Sequence, residues 1–178
     1  MTKAEIEAVF IDRDGTVGPD DVENPFDFSP FEFSIGAIEL LKTNSIPVYM
    51  FTNQACIARN RSYGFDFYGE TEKLRMDGIF LCPHDDIDNC SCRKPKPGLL
   101  LRAREELGID LSKCFVIGDR WSDMAAGGIC GCKLILVLTG RGGDAMAGDR
   151  KLWADYSPSY IAKDLMDAAE WIISSPTF

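Results

Sequence analysis

The sequence predicts a three-layer α/β fold, a parallel sheet covered by helices on both faces. Short apolar, β-branched runs recur at residues 8–11, 48–52, 79–81, 115–117 and 134–138, and stretches with helical spacing separate most of them. Strand and helix in alternation read as parallel strands joined by right-handed crossovers. Polar, chemically capable residues follow several of the runs directly, at the strand ends where open parallel sheets bind ligands.

Taken in order, Ala8-Val9-Phe10-Ile11 is apolar on both faces, as a buried parallel strand requires. Asp12-Arg13-Asp14-Gly15-Thr16 follows it, and Gly15 and Thr16 suit a tight turn off the strand. Residues 17–33, rich in Asp, Pro and Phe and without a period, read as a loop or short hairpin over the strand ends. Ile35, Ile38, Leu40 and Leu41 mark one face of a helix ending near Asn44. The second run leads into Thr52-Asn53-Gln54, and residues 55–77 are part loop, part short helix. Pro97 and Gly108 punctuate a helix carrying Leu99, Leu100, Ala103 and Leu107. The fourth run enters Gly118-Asp119-Arg120-Trp121-Ser122-Asp123. Ile161, Leu165, Ala168, Ala169 and Ile172 give a last amphipathic helix.

Composition fits one soluble domain over residues 1–178, with 46% apolar and 26% charged residues. No insertion is long enough for a cap domain. The longest apolar runs fall short of a membrane span, and Met-Thr-Lys-Ala-Glu-Ile-Glu lacks the apolar core of a signal peptide, so a cytoplasmic monomer is expected. A formal charge of −9 argues against a general nucleic-acid surface. A small phosphorylated metabolite needs only local cations, which Arg13, Arg59, Arg61, Arg93, Lys94, Arg120 and Arg141 supply in or beside expected loops.

Alone, Asp12-x-Asp14 reads as a solvated turn, or as two carboxylates serving one Mg²⁺ and one phosphorus. Later strand ends favour the second reading. Thr52 and Asn53 offer a hydroxyl and backbone donors for phosphoryl oxygens, Arg93 and Lys94 offer cations before a helix, and Asp119 and Asp123 add carboxylates. These motifs, in this order from residue 12 to 123, resemble those of the haloacid dehalogenase-like (HAD-like) phosphohydrolases: D-x-D-G-T, a Thr after the second strand, a Lys before a helix, and G-D-x-x-x-D. The resemblance implies a Rossmann-like sheet with Asp12 as nucleophile and Asp14 as general acid. It implies Mg²⁺ on the Asp12 carboxylate, the Asp14 carbonyl and Asp119, Thr52 bonded to the phosphoryl group, and Lys94 paired with it and with Asp12. Asp123 stays open between direct ligation and orienting a neighbour or a metal-bound water.

Cys82, His84, Cys90 and Cys92 place three of the seven cysteines and the only histidine within eleven residues. Three thiols and an imidazole make a closed tetrahedral zinc set, against the alternative of chance thiols. Asp85 to Asn89 between them has no core-forming pattern, so zinc would fix the 82–92 loop that presents Arg93 and Lys94. The cluster resembles the zinc-containing branch holding heptose bisphosphate and histidinol-phosphate phosphatases. Gln54-Ala55-Cys56-Ile57-Ala58-Arg59 is similar to the Q-S-G-I-A-R-G of the former, and the His84-to-Cys90 spacing and Asp119-Arg120 to the latter. The resemblance implies a phosphomonoesterase with an aspartyl-phosphate intermediate, Mg²⁺ for catalysis and Zn²⁺ for structure. Arg93 is a substrate ligand by the resemblance, with Asn53, Arg59 and Arg120 as further candidates; Arg59 and Arg61 read equally as a solvated pair. An inactive, zinc-stiffened phosphate-binding module is the alternative of another class.

Overall fold

The computed structural model describes residues 6–175. Its sheet has six strands, β1 Ala8–Ile11, β2 Val48–Asn53, β3 Gly78–Cys82, β4 Cys114–Gly118, β5 Lys133–Val137 and β6 Tyr160–Ala162, in the order β3-β2-β1-β4-β5-β6. Every adjacent pair is parallel. The helices are α1 Ser34–Thr43, α2 Phe67–Lys73, α3 Gly98–Leu107, α4 Trp121–Ile129, α5 Gly142–Met146 and α6 Leu165–Ser174.

Alternation along β1 divides the interior. Val9 and Ile11 face a core shared with Ala37, Ile38 and Leu41 of α1 and Ala168, Ala169 and Ile172 of α6. Ala8 and Phe10 face the other, with Leu99, Leu100 and Ala103 of α3 and Met124 and Ala126 of α4. All four β1 residues are buried, so the uninterrupted apolar run is the expected signature of a central parallel strand. Ile11 pairs with both Met50 and Ile117, which brings the ends of β1, β2 and β4 level. After β1 the chain builds outward to β3, then returns to β4 on the other side. The crevice at that reversal is where Asp12 emerges.

Several expectations need correcting. Ile161 belongs to β6 rather than the last helix, which starts at Leu165 because the Asp164 side chain accepts from the Asp167 N–H as its cap. Of the expected α1 face Ile38 and Leu41 are buried, but Ile35 is 39% exposed, and Ser34 and Ala37 complete the buried face. Leu138 lies past β5 and is exposed. Residues 17–33 are irregular apart from a single 3-10 turn, Pro25–Asp27. Among the described residues no helix is long and apolar enough to cross a membrane.

Candidate active site

Asp12 leaves β1 with its N–H bonded to the Ile117 carbonyl at 2.9 Å, so it is held between β1 and β4. Lys94 reaches it from the segment before α3. Lys94 Nζ donates to Asp12 Oδ1 at 2.7 Å and to the Phe51 carbonyl at 2.8 Å, and it pairs with Asp123 Oδ1 at 2.6 Å. Burial alone would lower the Lys94 pKa, but the charges of Asp12 and Asp123 raise it above the usual lysine value. The ammonium therefore stays charged. Asn53 holds the Lys94 backbone at both ends, accepting from its N–H at 3.0 Å and donating to its carbonyl at 3.2 Å.

Carboxylate oxygens of Asp12, Asp119 and Asp123 lie within 4.8 Å of one another. Asp119 Oδ2 accepts from the Arg141 N–H at 2.7 Å, whereas buried Oδ1 has no hydrogen-bond partner among the described residues. Burial, followed by the charges of Asp12 and Asp123, pushes Asp119 up to about 8. Burial and Asp12 likewise push Asp123 up to about 6, opposed by Lys94. Of three buried carboxylates, two share the Lys94 ammonium and the third, Asp119, carries an orphaned oxygen. That donor set fits a hard divalent cation. Glycines make the space: a Cβ on Gly15 (φ +92°) would lie 2.0 Å from Asp119 Oδ2, one on Gly140 2.2 Å from the same oxygen, and one on Gly118 2.4 Å from Asp123 Oδ2.

Asp14 is held at both oxygens. Oδ1 accepts from Arg13 at 2.7 Å and Oδ2 from Gln54 Nε2 at 2.6 Å. Its pKa is raised, by burial first and by Asp12, against the pull of Arg13 and Gln54. A raised carboxyl suits a proton donor. Thr52 is fully buried, with Oγ1 accepting from Gln54 Nε2 at 2.9 Å.

These groups open on a cavity of about 500 Å³, lined by Asp12, Asp14, Lys94 and Asp123 and, among more exposed residues, by Arg59, Arg61, Arg93 and Arg120. Arg59 is paired with Asp85 at 2.5 Å, Arg93 with Asp86 at 2.5 Å, and Arg120 lies 3.7 Å from Asp20. Arg93 also donates to the His84 carbonyl at 3.2 Å, and its N–H to Cys90 Sγ at 3.3 Å.

Beside these residues the thiols of Cys82, Cys90 and Cys92 and Nδ1 of His84 all lie within 4.8 Å of one another, five of the six pairs at 3.3–3.6 Å. A zinc–sulfur distance of about 2.3 Å sets tetrahedron edges of about 3.7 Å, so the four atoms fit one zinc and are too far apart for disulfides. The intervening 3-10 turn Asp86–Asp88 buries nothing, and Ile87 is 89% exposed.

Comparison with known proteins agrees with this geometry. Residues 91–168 match the family model described as HAD-hydrolase-like. A D-glycero-beta-D-manno-heptose-1,7-bisphosphate 7-phosphatase of Pasteurella multocida is 37% identical over 175 residues, 87% of this chain and 92% of the relative. The chain belongs to the HAD-like phosphatases. A Helicobacter pylori relative of the same name is 41% identical over 147 residues, 74% of this phosphatase and 83% of the relative. A solved D,D-heptose 1,7-bisphosphate phosphatase from B. bronchiseptica, complexed with magnesium and phosphate, superposes with a TM-score of 0.76 at 30% identity, covering 94% of this phosphatase and 98% of that chain. The phosphatase is thus a phosphoric monoester hydrolase.

Of the residues predicted from sequence, Asp12, Lys94 and Asp119 converge, and Asp123 joins them through Lys94. Arg13 appeared there only as a loop cation. From sequence, Gln54 counts as a backbone donor after the second run and as part of a family motif, not as a side chain on Asp14, and Glu70, the partner of Arg13, falls in the part-loop, part-helix stretch 55–77.

Proposed function

We propose that this phosphatase is a magnesium-dependent enzyme that removes one phosphate from a small sugar bisphosphate of the heptose 1,7-bisphosphate class. The observation that carries the reading is the buried Asp12–Lys94–Asp123 chain beside the unpartnered Asp119 Oδ1. Asp12 attacks phosphorus while Asp14 gives its proton to the departing ester oxygen. The bond to Asp12 forms as the ester P–O bond breaks, leaving an aspartyl-phosphate. Asp14, now a carboxylate, takes a proton from the water that hydrolyses it. Lys94 holds Asp12 in place and offsets its charge. Asp12, Asp119 and the Asp14 carbonyl would hold the magnesium, which when bound supplies positive charge to join an anionic nucleophile to an anionic phosphate. Arg59, Arg61, Arg93 and Arg120 are the cations available to a second phosphate. Cys82, His84, Cys90 and Cys92 hold a structural zinc that fixes the segment carrying Arg93 and Lys94.

Asp12→Asn should abolish Mg²⁺-dependent turnover of 4-nitrophenyl phosphate while the protein stays folded; retained turnover would sink the assignment. For the substrate, kcat/KM on heptose 1,7-bisphosphate should exceed that on histidinol phosphate. Comparable low values on both would mean that neither is the physiological substrate.

A further inference from the structure

We infer that Glu70 and Arg13 are positioning residues that fix the orientation of the Asp14 carboxyl. The inference rests on Asp14 being the proton donor of the proposed reaction. Arg13 is 2% exposed and spends three donors on two carboxylates: Nε to Glu70 Oε2 at 2.6 Å, an Nη to Glu70 Oε1 at 2.9 Å, and the other Nη to Asp14 Oδ1 at 2.7 Å. A two-point bond to Glu70 leaves the third donor a single direction, because guanidinium is planar and rigid. The plane itself is set by Phe28, whose ring centroid lies 3.5 Å from the guanidinium carbon, with Phe67 and Phe65 at 5.4 and 5.7 Å. Glu70 rides on α2, and Phe28 comes from the 17–33 loop. Two segments remote in sequence therefore converge on the residue between Asp12 and Asp14.

Guanidinium has no acceptor, so Oδ1 of Asp14 is kept as an accepting oxygen. That leaves Oδ2 to carry the transferable proton: one of its lone pairs accepts from the Gln54 Nε2–H at 2.6 Å, so its own O–H is free for the substrate. In the first step that proton passes from Oδ2 to the departing oxygen as the ester bond breaks and the bond from Asp12 to phosphorus forms.

The test is kcat/KM, with saturating Mg²⁺, on a series of para-substituted phenyl phosphates of rising leaving-group pKa. This parameter reports the step in which the leaving group departs. Glu70→Gln, Arg13→Lys and Asp14→Asn should each steepen the decline of log kcat/KM with leaving-group pKa. Glu70→Gln should lose about 10-fold more on phenyl than on 4-nitrophenyl phosphate, part of the ~10²–10⁴-fold worth of general acid catalysis. A merely structural role would lower every ester alike and leave the slope unchanged. Steepening in Asp14→Asn with parallel lines for Glu70→Gln and Arg13→Lys overturns the positioning role alone. A parallel line for Asp14→Asn overturns the acid assignment, and the positioning role with it. Thermal unfolding of each variant confirms that the comparison is between folded proteins, and Arg13→Lys stands in should Glu70→Gln not fold.

Discussion

Lys94 is the counter-charge for two carboxylates that share its buried pocket. Lys94→Met would leave Asp12 and Asp123 facing each other, at about 3–5 kcal/mol for a broken buried pair. Denaturant unfolding in EDTA should show that loss together with a collapse of activity; an unchanged midpoint would contradict the charge account. Asp119 makes a pH prediction. Folded and metal-free, it keeps its proton up to about pH 8, whereas unfolded it releases it near the ordinary 3.8. Between those values the unfolded state binds fewer protons, so this group's contribution to stability falls as pH rises. Magnesium needs the deprotonated form, so its stabilisation grows in the same direction. The rise in Tm when MgCl₂ replaces EDTA should be larger at pH 8 than at pH 6, and the reverse order would refute the ligand assignment.

At the scale of elements, the turn Asp86–Asp88 inside the 82–92 loop buries no side chain, so the loop has little apolar support of its own. Metal analysis of protein purified without added metal should find about one zinc per chain. The double substitution Cys90→Ser, Cys92→Ser should release it and lower Tm by about 4–8 °C, the equivalent of about 2 kcal/mol in a chain of this size. Full metal content or an unmoved Tm would count against the zinc. Gly118 ends β4 without a side chain because Asp123 fills that space, so Gly118→Ala should displace Asp123 from Lys94 and reduce kcat without abolishing folding. Central strands were legible because a strand buried on both faces writes an unbroken apolar run. β6 was not: it has three residues at the sheet edge, and Ile161 sits at helical spacing from Leu165. The strand-end carboxylates were legible because they follow such runs directly, and Lys94 because it precedes a helix punctuated by Pro97 and fits the order of the resembled family's motifs. Glu70 was not, since it meets Arg13 across 57 residues and no local period records that contact.

Seen whole, the molecule places its stability and its chemistry apart. The cores lie on the two sheet faces, and the polar residues gather where β1, β2 and β4 end. Ile172→Ala, deep in the α1–α6 face, should cost about 2–5 kcal/mol by leaving a cavity. Measured on the folded fraction, kcat/KM should be unchanged; a parallel fall would mean that the two regions are coupled. The arginines at the pocket mouth carry one more consequence. Arg59 holds Asp85, Arg93 holds Asp86, and Arg120 faces Asp20. A phosphate that meets one of these three captures no idle cation; it displaces an aspartate that already has one. What it gains is the difference between two ion pairs, and that small difference also governs departure of the phosphate product. A mouth that neutralises itself selects by shape more than by charge, and it lets go.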